Sequence, residues 1–242
     1  MSHNFELLNQ IEADLGVAPG IHSGRTTTGW SNAASREPLR DDVLSRELLS
    51  LAQNVFLSNR EDTPRVVVLC GIDKESGSSQ ICMRLGSILA GSNRRSVCLI
   101  DANLRSPRLS QRSLEDRHTP APVPGSGVFS LGNNLSLAYP QLLDSKQGRV
   151  LAPAQDLKRQ LLQLRQSFEF ILIDAPGANA GADAIVLSQI ADAAILVIEA
   201  NSTRKAAALK AKKAMDDAGV QLLGVVLNNR SFPIPEQLYR RL

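Results

Sequence analysis

Short apolar, β-branched runs alternate with amphipathic helical patterns along most of this sequence, and this alternation limits its fold more than any other feature. The apolar runs are RVVVLC, SVCLID, FEFILIDAP, AAILVIEA and LLGVVLNN, and helical patterns lie near residues 79–91, 155–168 and 204–217. Strands that are apolar along their whole length are typical of a parallel sheet that helices cover on both faces. We therefore predict an α/β fold with a doubly wound, mostly parallel sheet of about five to seven strands.

The N-terminal region differs from the rest of the chain. Residues 4–15 predict a short amphipathic helix, and the following stretch, up to about residue 41, is rich in Gly, Ser, Thr, Pro and Asn, which predicts a flexible linker. The linker contains Trp30, which is either an anchor for a partner or a residue that folds back onto its own domain. We assign residues 1–41 to this extension and residues 42–242 to one α/β domain that begins with an amphipathic helix.

Composition and charge narrow the classes of function. Hydrophobic residues make up 43% and charged residues 21%, as in folded domains rather than disordered or membrane proteins. The start of the chain lacks the apolar core of a secretion signal, and three cysteines lack metal-ligand spacing, so we expect a cytoplasmic protein with buried thiols. The net charge of +3 does not predict nucleic-acid binding. Arginines cluster in residues 94–117 and 230–241, which indicates either a solvated face or a surface for anionic lipid or an acidic partner.

Acidic residues and a small-residue turn follow the predicted strands. The stretch GIDKESGSSQ, residues 71–80, lies between a strand and a helix, as a phosphate-binding loop does, but without that loop's lysine. Asp101 and Asp174 stand at the ends of two later predicted strands, SVCLID and FEFILID. Carboxylates at such positions hold Mg²⁺ in nucleotide-binding sheets, whereas the plain alternative is that they cap the following helices. Two of them beside a strand-turn-helix favour a site.

The segments CLIDANLRSPRL, FEFILIDAPGANAGADAIVLSQIADAAILVIEANSTR, LLGVVLNN and SFPIPEQLYRRL resemble the cytoplasmic domain of the bacterial tyrosine kinases of capsular and exopolysaccharide biosynthesis. The resemblance covers about residues 42–242 and implies a fold like that of the P-loop NTPases, with ATP and Mg²⁺ as cofactors. It implies Asp101 and Asp174 as catalytic residues and Tyr239 as a phosphoacceptor. The cofactor-binding and metal-binding residues that it implies are Gly77, Ser78, Ser79, Lys74, Arg105 and Asn228, with Ser79, Asp101 and Asp174 on Mg²⁺.

The sequence departs from the family pattern inside the loop. The phosphate-binding lysine falls on Ser78, the opening glycine on Ile72 and a further glycine on Glu75. Lys74 is one place out of register with the lysine that marks the deviant P-loop class. A carboxylate in a phosphate cradle repels the ligand, and a missing lysine removes a charge-assisted contact of about 1.5 to 3 kcal/mol.

Departures also lie outside the loop. Asn103 replaces the second aspartate of the next motif, and Tyr239 is what remains of the tail's tyrosine cluster. The resemblance also implies a homo-oligomer, but Leu49 and Ala52 stand where the family's self-association helix carries arginines. The resemblance also points to Asp183 after the third motif.

Three hypotheses follow. The preferred one is a kinase-like subunit, non-catalytic or weakly catalytic, that docks on an inner-membrane polysaccharide co-polymerase and contacts the membrane peripherally. The second is an active ATP-dependent tyrosine autokinase in which Lys74 replaces the missing lysine and Tyr239 accepts the phosphate. The third is a localisation factor of the partitioning type, which would bind DNA or lipid through its basic face.

Overall fold

The computed structural model describes residues 21–24, 38–57, 62–73, 75–92, 95–115, 121–123, 127–139, 142–145 and 150–230. Its helices are α1 Pro38–Val55, α2 Ser78–Gly91, α3 Arg108–Glu115, α4 Ala154–Ser167, α5 Asp183–Ile190 and α6 Lys205–Asp217. Its strands are β1 Ile21–Gly24, β2 Val66–Gly71, β3 Val97–Asp101, β4 Ala121–Val123, β5 Val128–Gly132, β6 Leu135–Ala138, β7 Phe170–Ala175, β8 Ala193–Glu199 and β9 Leu222–Arg230.

The strands of the described residues form one nine-stranded sheet in the order β1-β9-β8-β2-β7-β3-β6-β5-β4. In this spatial order, the seven strands from β1 at one edge to β6 pair in parallel. Strand β5 pairs antiparallel with both β6 and β4. The predicted doubly wound, mostly parallel sheet is confirmed. The sheet has more strands than the sequence predicted, because β1 extends one edge and the antiparallel strands extend the other.

Helices cover both faces of the sheet. On one face, α1, α2 and α3 bury residues such as Leu48, Leu85 and Leu109 against the strands, and we call this the α1–α3 face. On the other face, α4, α5 and α6 bury residues such as Leu161 and Leu187. Since successive residues of a strand point to opposite faces, the central strands are apolar on both, which explains their continuous apolar sequence.

The sequence did not predict β1 or the antiparallel strands. β1 falls in the segment expected to be a linker, and α1 begins at Pro38, four positions before the expected domain start. The sequence IHSG of β1 has no strand pattern, and this strand forms by pairing with the edge of β9. The β5–β6 hairpin turns at Asn133 and Asn134, which have φ of 47° and 62°. A two-residue hairpin turn of type I′ needs positive φ at both central residues, which asparagine adopts more readily than most residues, so Asn133 and Asn134 suit this turn.

A polar cluster fixes the amino-terminal ends of the central strands. Asp192 Oδ2 accepts the N–H groups of Arg65 and Val66, each at 2.8 Å, and Asp192 also pairs with Arg165. The Arg65 guanidinium donates to the carbonyls of Arg165 and Phe168 at 2.9 Å, where α4 ends. These bonds satisfy the last carbonyls of a helix and tie α4, β2 and the start of β8 together.

The three cysteines are free and buried, as the sequence predicted. Burial raises the pKa of Cys70 and of Cys98 to about 12, so these thiols are not reactive. Among the described helices, none is both long and apolar enough to span a bilayer.

Candidate functional site

The candidate site lies at the carboxyl ends of β2, β3 and β7. Strand β2 stands between β7 and β8, so the chain crosses from one side of β2 to the other as it passes from β7 to β8. In open α/β sheets, ligands bind outside the carboxyl ends of the strands where such a crossing occurs. The loop after β2 and the two acidic strand ends meet at this position.

Asp101 and Asp174 occupy directly opposite positions on β3 and β7. Both side chains lie on the α1–α3 face, because Leu99 and Leu172, two residues earlier, belong to that core. Their exposed fractions are 0% and 1%. The two carboxyl groups therefore stand at the same edge and on the same face of the sheet.

Asp174 is held by the start of α2. The Ser78 hydroxyl donates to Asp174 Oδ1 at 3.2 Å, and Ser79 also bonds to this carboxylate. Burial raises the pKa of Asp174 to about 7; the bond from Ser79 opposes this, the charge of Asp101 adds to it, and Arg108 acts weakly against it. Near neutral pH this carboxyl is therefore poised between its neutral and charged forms.

Asp101 is bound to the turn and helix that follow it. Its Oδ2 accepts the N–H of Ser110 at 2.8 Å, and its Oδ1 accepts the N–H of Asn103 at 3.2 Å. Burial raises the pKa of Asp101, and these hydrogen bonds, with others from Ser110 and Leu109, oppose the rise. Asp101 therefore acts as a cap for α3, which is the structural alternative that the sequence left open.

The described residues of the loop between β2 and α2, 72–73 and 75–77, contact other parts of the protein, and we call them the 72–77 loop. Ile72 is fully buried, whereas Glu75 is exposed. The Asp73 carbonyl accepts both the hydroxyl and the N–H of Ser76, at 2.9 and 3.4 Å. A Cβ added at Gly71 would lie 1.7 Å from Ser76 Oγ, so β2 must end in glycine for Ser76 to fold inward.

Helix α2 begins directly at this loop. Gly77 precedes it with φ of 81°, a conformation that favours glycine. Within the described residues, no side chain caps this helix, and no acceptor is found for the N–H groups of Ser78 and Ser79. The first N–H groups of a helix and the positive end of its dipole favour an anion here.

Asn228 lies beneath the loop. It ends the buried part of β9 with an exposed fraction of 2%, and its Nδ2 donates to the Ser76 carbonyl at 2.9 Å. The resemblance implies a contact to the nucleotide for this residue, with a role as a cap or turn residue as the alternative. In the structure, its amide bonds to the loop.

The segment after β7 closes on the loop from the other side. The N–H of Ala178 donates to the Gly71 carbonyl at 2.7 Å, and the N–H of Asn179 donates to the Ile72 carbonyl at 3.4 Å. A Cβ added at Gly177 would lie 3.2 Å from the Ile72 carbonyl oxygen, so this glycine permits the close approach. The two loops therefore form one connected unit.

The remaining predicted residues divide into two groups. Arg105 is exposed in the turn after β3, and Asp183 is the first residue of α5. The Asn103 side chain accepts the N–H of Ser106 at 3.2 Å, so it shapes that turn. Lys74 and Tyr239 lie outside the described residues, as do Trp30 and the terminal arginines Arg240 and Arg241.

The donor set suits one mode of Mg²⁺ binding. Among the described residues, no group of three His, Cys, Asp or Glu side chains could hold a metal. Ser79, Asp101 and Asp174 supply oxygen atoms, and Mg²⁺ commonly binds through one or two carboxylates together with phosphate oxygens. The site therefore fits Mg²⁺ that arrives with a polyphosphate and offers no complete protein cage.

Comparison with known proteins identifies the family of this chain. No family model matches the chain. The tyrosine-protein kinase ptk of Acinetobacter johnsonii is 30% identical over 209 residues, which cover 78% of this chain and 27% of that protein. The tyrosine-protein kinase YwqD of Bacillus subtilis is 25% identical over 209 residues, covering 77% of this chain and 81% of that protein. The kinase domain of Escherichia coli tyrosine kinase ETK superposes with a TM-score of 0.66, at 16% identity, over 93% of this chain and 96% of that domain.

The chain belongs to the bacterial tyrosine kinase family. The superposition on the ETK domain shows that the fold is shared, and the sequence similarity to the two named kinases shows the family relationship. The chain spans about a quarter of the length of the Acinetobacter kinase and most of the Bacillus kinase. As a member of this family, it has a serine where the resemblance places the phosphate-binding lysine, and that serine is bonded to Asp174.

Proposed function

We propose that this chain is a kinase-like component of exopolysaccharide or capsule biosynthesis and export, with little or no phosphoryl transfer of its own. It acts with an inner-membrane polysaccharide co-polymerase as its partner and contacts the membrane peripherally. The observation that carries the loss of catalysis is the hydrogen bond from Ser78 to Asp174. The side chain at the lysine position turns back to a carboxylate of the protein and offers no positive charge to a phosphate.

The missing charge has a calculable effect. A charge-assisted hydrogen bond contributes about 1.5 to 3 kcal/mol, which is about ten- to a hundredfold in affinity. The effect on transfer is larger, because the same charge would stabilise the transferring phosphoryl group. The exposed Glu75 in the same loop adds repulsion against a triphosphate.

Several features support retained, weak binding of ATP with Mg²⁺. The N–H groups at the start of α2 suit a phosphate, and Ser79 with Asp174 suits the metal. Mg²⁺, when bound, would neutralise phosphate charge at this edge of the sheet. Arg105, exposed in the turn after β3, is the residue that the family pattern offers for a further phosphate contact.

The cellular setting follows from kinship. The resemblance of residues 42–242 to the kinases of capsule and exopolysaccharide biosynthesis, and the sequence relatives named as tyrosine kinases, favour a role in that process. Co-purification with the cytoplasmic part of a chain-length regulator tests the partner. A protein that binds no such regulator, but binds DNA in a salt-sensitive manner, would favour the partitioning hypothesis instead.

The deciding experiment is a calorimetric titration of Mg²⁺ and ATP into the native protein and into Ser78→Lys. We expect the substitution to increase affinity about ten- to a hundredfold. Ser87→Lys, which adds the same charge at an exposed position of α2, is the matched control and should bind as weakly as the native protein.

Phosphorylation assays complete the test. The native protein incubated with Mg²⁺ and ATP should show no Tyr239 phosphorylation above that of Asp174→Ala. Robust autophosphorylation that Asp174→Ala and Lys74→Ala both abolish would overturn the proposal and establish the autokinase hypothesis.

A further inference from the structure

Asn228 is buried beneath the loop that precedes α2, whereas a residue that contacts a nucleotide base would be open to the ligand. It lies on the α1–α3 face of β9, because Val226, two residues earlier, packs in that core. The loop of residues 72–77 and the start of α2 stand above this face. The Asn228 side chain is buried beneath them and does not project beyond the edge of the sheet.

Two contacts connect Asn228 to the loop. Its Nδ2 donates to the Ser76 carbonyl at 2.9 Å in a buried hydrogen bond. A Cβ added at Gly77 would lie 2.1 Å from the same Nδ2 atom, so the amide packs directly against the residue that precedes α2. The amide therefore contacts two consecutive loop residues at the point where the helix begins.

The backbone of Asn228 is itself fixed from β8. Asn228 pairs with Glu199, and its carbonyl accepts the N–H of Ala200 at 2.8 Å. Asn229 follows in the left-handed region with φ of 57°, and its Nδ2 donates to Glu199 Oε1 at 2.9 Å. Both asparagines are anchored to the same strand end, which fixes the backbone from which the Asn228 amide reaches the loop.

We infer that Asn228 is a positioning residue that sets the shape of the 72–77 loop and the direction of the first N–H groups of α2. It does not contact a nucleotide base. Ser78 and Ser79 begin α2 two and three residues after Ser76, so the bond from Asn228 to the Ser76 carbonyl fixes the backbone that leads directly into their N–H groups. The inference rests on the proposed function only for its ligand, a polyphosphate group.

A binding experiment separates positioning from base contact. ATP and inorganic tripolyphosphate, each with Mg²⁺, are titrated into Ser78→Lys and into Ser78→Lys with Asn228→Ala. A positioning residue acts on the phosphates, so we expect affinity to fall about tenfold for both ligands. A loss for ATP alone would show a base contact and overturn the inference, as would unchanged affinity for both. Asn54→Ala, an exposed asparagine of α1, is the matched control and should change neither affinity.

A second experiment needs no ligand. Hydrogen exchange of a peptide covering residues 72–80 should be about tenfold faster in Asn228→Ala than in the native protein, with α4 and α6 unchanged. Gly77→Ala should destabilise the native protein more than it destabilises Asn228→Ala, because the 2.1 Å contact is absent from the latter. Unchanged exchange in the loop, or equal costs of Gly77→Ala in both backgrounds, would overturn the inference.

The two proposals fail in different ways. If Ser78→Lys gains no affinity for either ligand, the account of the missing lysine is wrong, and the exchange and double-mutant measurements still decide the role of Asn228.

Discussion

Asp174→Asn is expected to stabilise the protein, and to do so more strongly as the pH rises. The Asp174 carboxyl is 1% exposed, and burial raises its pKa to about 7, with Ser79 opposing the rise and Asp101 adding to it. An aspartate in an unfolded chain titrates near about 3.9. Between these two values the folded protein holds a proton that the unfolded chain has released.

The sign of the pH dependence follows from this difference. A group whose pKa is raised on folding contributes stability at low pH, and that contribution is lost as the pH rises toward the folded value of about 7. A gap of about 3 pKa units corresponds to about 4 kcal/mol between pH 4 and pH 8. Asparagine has the same shape, accepts the serine hydroxyl bonds through its carbonyl oxygen and carries no charge, so it avoids this loss.

Urea unfolding at pH 5 and pH 8, in the presence of a chelator, measures the effect. We expect Asp174→Asn to exceed the native protein in unfolding free energy by about 2 to 4 kcal/mol at pH 8 and by much less at pH 5. Asp192→Asn is the control, because the shift of the Asp192 pKa is downward and its pH dependence lies below this range. A difference between Asp174→Asn and the native protein that stays constant, or that reverses, from pH 5 to pH 8 would refute the reasoning.

Three further predictions concern stability. Burial acts to raise the pKa of Asp192, but the bonds from Val66 and Arg165 outweigh it and lower the pKa. Asp192→Asn should therefore reduce the free energy of unfolding in urea by about 1 to 2 kcal/mol at pH 7. This cost should vanish as the pH falls through the lowered pKa of Asp192. Gly71→Ala should cost about 1 to 3 kcal/mol in the same assay, because its Cβ would meet Ser76 Oγ at 1.7 Å; no cost would show that Ser76 turns outward freely. Phe56→Ala should cost about 3 to 5 kcal/mol in thermal unfolding, because Phe56 is buried edge-on to Phe170 at 5.3 Å; a cost below about 1 kcal/mol would contradict the packing of α1.

The fold followed from the sequence where local pattern and tertiary environment agree. The runs that became β2, β3, β7, β8 and β9 are apolar on both faces because helices cover both, and this composition is visible without a structure. The helix predicted near residues 204–217 is observed at Lys205–Asp217, since its apolar residues recur at helical spacing. Strand β1 could not be predicted in this way, because IHSG carries little apolar surface and depends on the open edge of β9.

The sequence predicts which strand ends form the site, but not which hydrogen bonds its side chains make. That Asp101 and Asp174 meet follows from the rule that parallel strands end at one edge. That Asp101 caps α3 while Asp174 does not depends on where the chain turns after β3, which spacing alone does not reveal. The contact of Asn228 with Ser76 joins residues 152 positions apart, and no local pattern encodes it.

The two buried aspartates differ in what the fold gains from them. Asp101 satisfies backbone N–H groups of α3 and of the preceding turn, so the fold alone accounts for a carboxylate there. Asp174 accepts only hydroxyl bonds among its described contacts, and its raised pKa shows that the folded protein resists its charge. An uncharged residue of the same shape would serve the fold better, and perturbed carboxyls of this kind concentrate at functional sites. Asp174 is therefore the carboxylate of this site that the fold alone does not account for, and Asp174→Asn tests how much the folded protein gains without its charge.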